Sequence, residues 1–137
     1  MTHTNAEADR WLAENFPDWV LALEPRVETM ACTGVVLSIP VKPAIARQDG
    51  IVPGPALAVF AETTMVIACA RHFRAFRPVE TLTLDLQFLR PAKGDRIVCS
   101  AALVRTGRTH IFTRAVLTAE PSGQDVAAAT ATFAVVA

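Results

Sequence analysis

Pro55-Ala-Leu-Ala-Val-Phe-Ala-Glu62-Thr-Thr-Met-Val-Ile-Ala-Cys-Ala70 decides how this chain folds. The run is apolar all round, which predicts a helix over 55–72 buried on nearly every face. Pro55 suits the first helical position, with Gly54 as the cap before it. Arg71-His72-Phe73-Arg74 close the run with cations that complement the C-terminal helix dipole.

Everything after this helix reads as strand. Leu82, Leu84, Leu86 and Phe88 alternate with Thr81, Thr83, Asp85 and Gln87, which predicts a half-buried strand. Pro91-Ala-Lys-Gly-Asp95 makes a turn, and further strands are predicted over 97–104, 110–119 and 126–136. Thr106-Gly107-Arg108 and Glu120-Pro-Ser-Gly-Gln124 supply the turns between them. Strands joined by such short turns are expected to be antiparallel neighbours. Before the helix, 26–32 and 34–41 read as two more strands. Val35, Leu37, Ile39 and Val41 give the second a clear alternation.

The first 22 residues form a helical segment. A helix is predicted from residue 5 to 16, with Thr4 as its N-cap and Trp11, Leu12 and Phe16 as a docking face. A loop over 42–52 carries Pro43, Arg47, Asp49 and Gly50. The economical packing is an α+β arrangement, an antiparallel sheet curled around the apolar helix as a single domain over 1–137. Such a sheet keeps two exposed edges, so self-association edge to edge or sheet to sheet is the expected remedy.

Composition narrows the functional classes. Hydrophobic residues make up 52% of the 137, ample for one core. Lys plus Arg number 13 and Asp plus Glu number 13. A neutral chain has no long-range field for nucleic acid or an anionic membrane, so neither is expected as a partner. Cys32, Cys69 and Cys99 have neither disulfide nor zinc spacing and read as free thiols of a reducing, cytoplasmic compartment. The N-terminus lacks the order of a secretory signal. Glu62 speaks against a membrane span, since a central charge costs about 2.5–3.5 kcal/mol on insertion scales. No metal-ligand set and no glycine-rich phosphate loop is present, so no metal or cofactor is expected.

Two residues of the central stretch could carry chemistry. Glu62 has Ala58, Val59, Met65 and Val66 at its helical neighbour positions, none of them a cation. A carboxylate desolvated there must be paired elsewhere, open to a cleft, or functional as a base or water-holder. Gly54 stands at the start of a buried helix, where free N–H groups and the dipole point into any cleft. Pro55 has no N–H, which leaves Gly54 as the donor toward a developing oxyanion. Arg71, Arg74, Arg77, Arg90 and Lys93 are cations that could meet phosphates or remain a solvated surface.

From Gly34 onward the chain resembles the hotdog-fold acyl-CoA thioesterases of the PaaI type. The resemblance rests on the helix-opening Gly54, Glu62 within the apolar helix, the Phe88-Leu89-Arg90-Pro91-Ala92 block and the Gly107-Arg108 hairpin. Members of that family typically read Asn-x-x-Gly-x-x-His-Gly-Gly at the helix start, with an acid nine residues after the His. Here the segment is Arg47-Gln-Asp-Gly50-Ile-Val-Pro53-Gly54-Pro55, and Glu62 follows Pro53 by nine. Pro53, Arg47 and Pro55 thus replace the usual His, Asn and second Gly.

The resemblance implies a hotdog fold and hydrolysis of an acyl-CoA or related thioester by a homodimer or a dimer of dimers. It places the oxyanion donor at Gly54 and the water-activating carboxylate at Glu62, supplied across the dimer interface. An assisting hydroxyl falls at Thr81. Arg47, Pro53, Pro55 and Arg90 fall to substrate binding. The alternatives are a non-catalytic hotdog protein that binds acyl-CoA or acyl groups, and a hotdog hydratase or dehydratase. The last lacks an acid–base pair, because His72 and His110 lie away from Glu62 in sequence.

Overall fold

A computed structural model describes residues 4–136. The first three positions of the helical segment over 1–22, and Ala137 at the end of the domain over 1–137, lie outside the described residues. The elements run α1 (Asn5–Asn15), α2 (Asp18–Leu21), β1 (Arg26–Ala31), β2 (Gly34–Pro40), α3 (Gly54–Phe73), β3 (Val79–Phe88), β4 (Arg96–Thr106), β5 (His110–Glu120) and β6 (Asp125–Val135).

The apolar run is α3, and it begins one residue earlier than Pro55 indicates. Pro53 takes the N-cap in extended backbone, Gly54 is the first helical residue, and Pro55 is the second. A proline fits there because the first-turn N–H groups have no partner within the helix. The other end closes on Arg74, held left-handed at φ 61°, with the Arg74 N–H donating to the carbonyls of Ala70 and Arg71. Buried hydroxyls inside α3 satisfy themselves: Thr63 donates to the Val59 carbonyl at 2.8 Å and Thr64 to that of Phe60 at 2.9 Å.

Six antiparallel strands form one sheet in the order β1-β2-β4-β5-β6-β3. Alternate side chains of β2, β4, β5 and β6 point at α3, including Leu37, Ile97, Ile111, Leu117 and Phe133, all fully buried. On β6 the helix-facing positions are mostly small, with Ala127, Ala129 and Ala131 in sequence. Thr113 is the polar exception on β5, and its hydroxyl donates to the Ala131 carbonyl at 3.0 Å. α3 is long and apolar enough to cross a membrane, yet most of that length is buried against the sheet.

Strand β3 corrects two expectations. It does not neighbour β4, although a short turn joins them; it crosses to the far edge and pairs with β6. Nor is its apolar row half-buried throughout. Leu82 is 52% exposed, Leu84 37% and Phe88 57%, and only Leu86 is partly covered. Leu84, Leu86 and Phe88 pair with Ala131, Ala129 and Ala127, so they share the helix-side face of the sheet. α3 packs mainly on β4, β5 and β2 and barely reaches β3, which leaves that row uncovered.

Helix α1 opens with a complete capping box. The Thr4 hydroxyl accepts from the Glu7 N–H at 3.2 Å, and the Glu7 carboxylate accepts from the Thr4 N–H. Ala8, Trp11 and Leu12 are buried, and the Asn5 amide donates to the Glu28 carbonyl of β1 at 3.1 Å. Cys69 and Cys99 are buried free thiols whose pKa values desolvation pushes up to about 12, while Cys32 is exposed.

Candidate active site

The loop before α3 is built to hold its N-terminus still. Gly50 sits at φ +80°, the left-handed region glycine tolerates, and its N–H donates to the Arg47 carbonyl at 2.8 Å. The Arg47 N–H in turn donates to the Ile51 carbonyl at 2.9 Å. The Asp49 carboxylate accepts from the Ile51 N–H at 3.1 Å and pairs with the Arg47 guanidinium at 2.5 Å. That hydrogen bond from Arg47 holds the Asp49 carboxyl below the usual carboxylate range. The Val52 N–H donates to the Ala92 carbonyl at 3.0 Å, which ties the loop to the Pro91-Ala92 turn.

A cleft of about 370 Å³ opens where these segments meet. Arg47, Pro53, Gly54 and Leu57 line one side, and Phe88, Leu89, Arg90 and Pro91 the other. Gly54 meets the Phe88 ring so closely that a Cβ there would lie 3.1 Å from it. The N–H groups of Ala56 and Leu57 both donate to the Pro53 carbonyl, and Pro55 has none. Among the described residues the Gly54 N–H has no acceptor, so it is the one free donor of the first turn. Arg90 donates to the Asp125 carbonyl and has no acidic partner among the described residues.

Four sequence-nominated residues therefore converge: Gly54, Pro53, Arg47 and Arg90. Pro55 faces the other way and lines a separate apolar cleft. Glu62 is not in the cleft with Gly54, and eight residues of helix at 1.5 Å each separate the two by about 12 Å. It is also less enclosed than its apolar neighbours suggest. Glu62 is partly exposed on a stripe with Pro55, Val59 and Val66, and among the described residues it has no hydrogen bond or ion pair. The expectation of a helix buried on nearly every face is corrected along this stripe. α3 leaves this stripe uncovered because the sheet wraps only its other sides.

Thr81 lies apart from both within one chain. It is exposed, next to a bulge at Leu82, and seven strand residues place it about 23 Å from Phe88. Phe88 was not singled out for the site. Its alternation marked it as a core residue, and nothing local in the sequence announces that it packs on Gly54.

With this geometry in place the chain can be compared with known proteins. A model of the family described as the thioesterase superfamily matches residues 49–126, more than half of the chain. The chain belongs to that superfamily, and its sheet around a central helix is the hotdog fold. In structure it is similar to a thioesterase from Haemophilus influenzae, with TM-score 0.87 and 17% identity over 99% of this chain and 92% of the other. A thioesterase family protein from Silicibacter pomeroyi gives TM-score 0.78 and 23% identity, covering 96% and 97% of the two chains. A mutant thioesterase from Pseudomonas aeruginosa gives 0.83 and 21%, covering 99% and 96%. No curated protein matches it in sequence.

Proposed function

We propose that this protein hydrolyses an acyl-CoA-like thioester in the manner of the PaaI-type hotdog enzymes, in the cytoplasm and as a homodimer or dimer of dimers. The observation that carries the reading is the free Gly54 N–H, opening a helix at a cleft flanked by Arg47 and Arg90. A thioester carbonyl seated there meets a donor and the positive end of a helix, both suited to the negative charge that grows on its oxygen. Arg47 and Arg90 suit the phosphates of a coenzyme A arm, Arg90 the more because no carboxylate among the described residues neutralises it.

Glu62 is the base. It takes a proton from water as the water oxygen bonds to the carbonyl carbon; the carbon–sulfur bond then breaks, and the proton leaves with the thiolate as a thiol. One chain cannot supply both groups, since Glu62 stands about 12 Å from its own Gly54, by helical rise. A second chain can. The uncovered row on β3 favours pairing with another β3, and an antiparallel pair sets the Thr81 end of one strand beside the Phe88 end of the other. Each site then combines Gly54 of one chain with Glu62 of its partner, and Thr81 has a route to the water.

Glu62→Gln is expected to lower turnover of acyl-CoA substrates by at least about 10²-fold, the low end for a general base. The variant keeps the same melting temperature within a few degrees, because among the described residues Glu62 has no hydrogen bond or ion pair to lose. Unchanged hydrolysis by the variant rejects the assignment.

A further inference from the structure

Two clefts meet at Pro53, and they differ in character. The one that holds Gly54 carries Arg47 and Arg90. The other, about 310 Å³, is lined by Trp19, Leu23, Ile45, Pro55, Ala56 and Val59, with Pro53 as the shared wall and no charged side chain. Its outer rim is Trp19, a large aromatic left 65% exposed. Trp19 belongs to the short helix α2, which is anchored from beneath by buried Val20 and followed by buried Leu23. An exposed indole at the edge of an apolar hollow, beside a helix N-terminus, offers an apolar group a large, flat contact surface.

We propose that this cleft is the acyl subsite, with Trp19 and Leu23 of the N-terminal segment as the wall that sets which acyl groups fit. The inference rests on the thioesterase reading and adds the substrate's other half. A thioester carries a charged arm on its sulfur side and, on its carbonyl side, an acyl group that is apolar in most such compounds. With the carbonyl at Gly54, the cationic cleft takes the charged arm, and the acyl chain passes Pro53 into the apolar one. The cleft lies at the low end of small-molecule pocket volumes, roughly 300–1,000 Å³. It therefore suits a ring or a medium-length chain and leaves a long fatty chain hanging in water beyond Trp19.

The test compares acetyl-CoA, octanoyl-CoA and palmitoyl-CoA as substrates of the whole protein, with Trp19→Ala and Ala56→Phe as variants. Wild type is expected to prefer octanoyl-CoA over both others in kcat/KM. Trp19→Ala lowers the octanoyl-to-acetyl ratio by at least about fivefold, chiefly through KM, and Ala56→Phe lowers it by about tenfold or more by filling the cleft. Binding gives a readout that does not need turnover. Octanoyl-CoA shifts the tryptophan emission to the blue, free coenzyme A does not, and Trp19→Phe removes the shift. If octanoyl-CoA is hydrolysed while neither the ratio nor the emission responds, the acyl subsite lies elsewhere and the proposal falls. If the Trp19-dependent shift is seen and no thioester in the series is cleaved, the subsite stands and the hydrolase reading fails.

Discussion

At one edge of the sheet, β1 runs for six residues, is broken by a bulge at Glu28 and lies against α1. At the other, β3 runs for ten residues and carries Leu82, Leu84 and Phe88 into solvent. The β1 edge is also cross-tied by charge. The Arg96 guanidinium donates to Glu28 and to Glu120, each at 2.5 Å, and Ser38 donates to the same Glu28 oxygen at 2.9 Å. A short, bulged, charged and helix-covered edge is how a sheet refuses further pairing. A long apolar edge invites it. The contrast says that this chain is finished on one side only, and the proposed chemistry needs what completes the other.

The sharpest way to break the comparison is to put charge on the open edge. Leu82→Arg combined with Leu84→Arg is expected to yield a monomer by analytical ultracentrifugation and to lower thioester turnover by more than about 10²-fold, because every site loses its partner's base. Thr29→Arg on β1 serves as the matched control and changes neither. A dimer that persists, or a monomer that keeps full turnover, removes β3 from the account. Mixing variants tests the same point from the other direction. Glu62→Gln and Gly54→Val subunits are each expected to be inactive alone, the second because its side chain meets the Phe88 ring. After co-refolding, half the dimers are mixed and carry one intact site, so activity returns to about a quarter of wild type. No recovery means that both groups act within one chain.

Much of this was legible from the residues. The apolar run through Glu62 required a helix inside a sheet, and the turns at Gly107 and Gly123 fixed which of β4, β5 and β6 are neighbours. The place of β3 was not legible. Its joining segment, residues 89–95, carries turn residues that do not exclude a hairpin, and only the pairing of Leu84 with Ala131 and Leu86 with Ala129 shows that it crosses to β6. The site was readable in part for the same reason. Gly54 and Arg47 are close in sequence and share a loop, so their convergence follows from local geometry. Arg90 and Phe88 arrive from a strand whose position is set by long-range pairing, and no local pattern encodes that. Glu62 was identified by its lack of helical partners, and its partly open face depends on where the sheet stops.

The closed edge makes more modest predictions. Thr4→Ala removes the capping box that starts α1 and is expected to cost about 1 kcal/mol. For a domain of this size that is a fall of about 3–6 °C in melting temperature. The loss is one of stability alone, so sedimentation and turnover at 25 °C remain those of wild type. A variant that instead forms higher assemblies would show that α1, rather than the bulge and the charges, keeps β1 from pairing.

The smallest effect concerns the charges themselves. The hydrogen bonds from Ser38 and Arg96 lower the Glu28 pKa below its ordinary 4.5. A carboxyl whose folded pKa is depressed stabilises the fold above its unfolded pKa, and that contribution disappears as pH falls through the folded value. Stability from this group is therefore full near pH 7, begins to decline below about 4.5, and is gone once the folded carboxyl is protonated. Both Glu28 and Arg96 are more than a third exposed, so water screens the pair and the contribution stays below about 1 kcal/mol. Glu28→Gln should lower the urea midpoint slightly at pH 7 and by less at pH 3. A variant that is equally destabilised at both values would mean that Glu28 matters to β1 as a shape at the bulge, with its charge irrelevant to closing that edge.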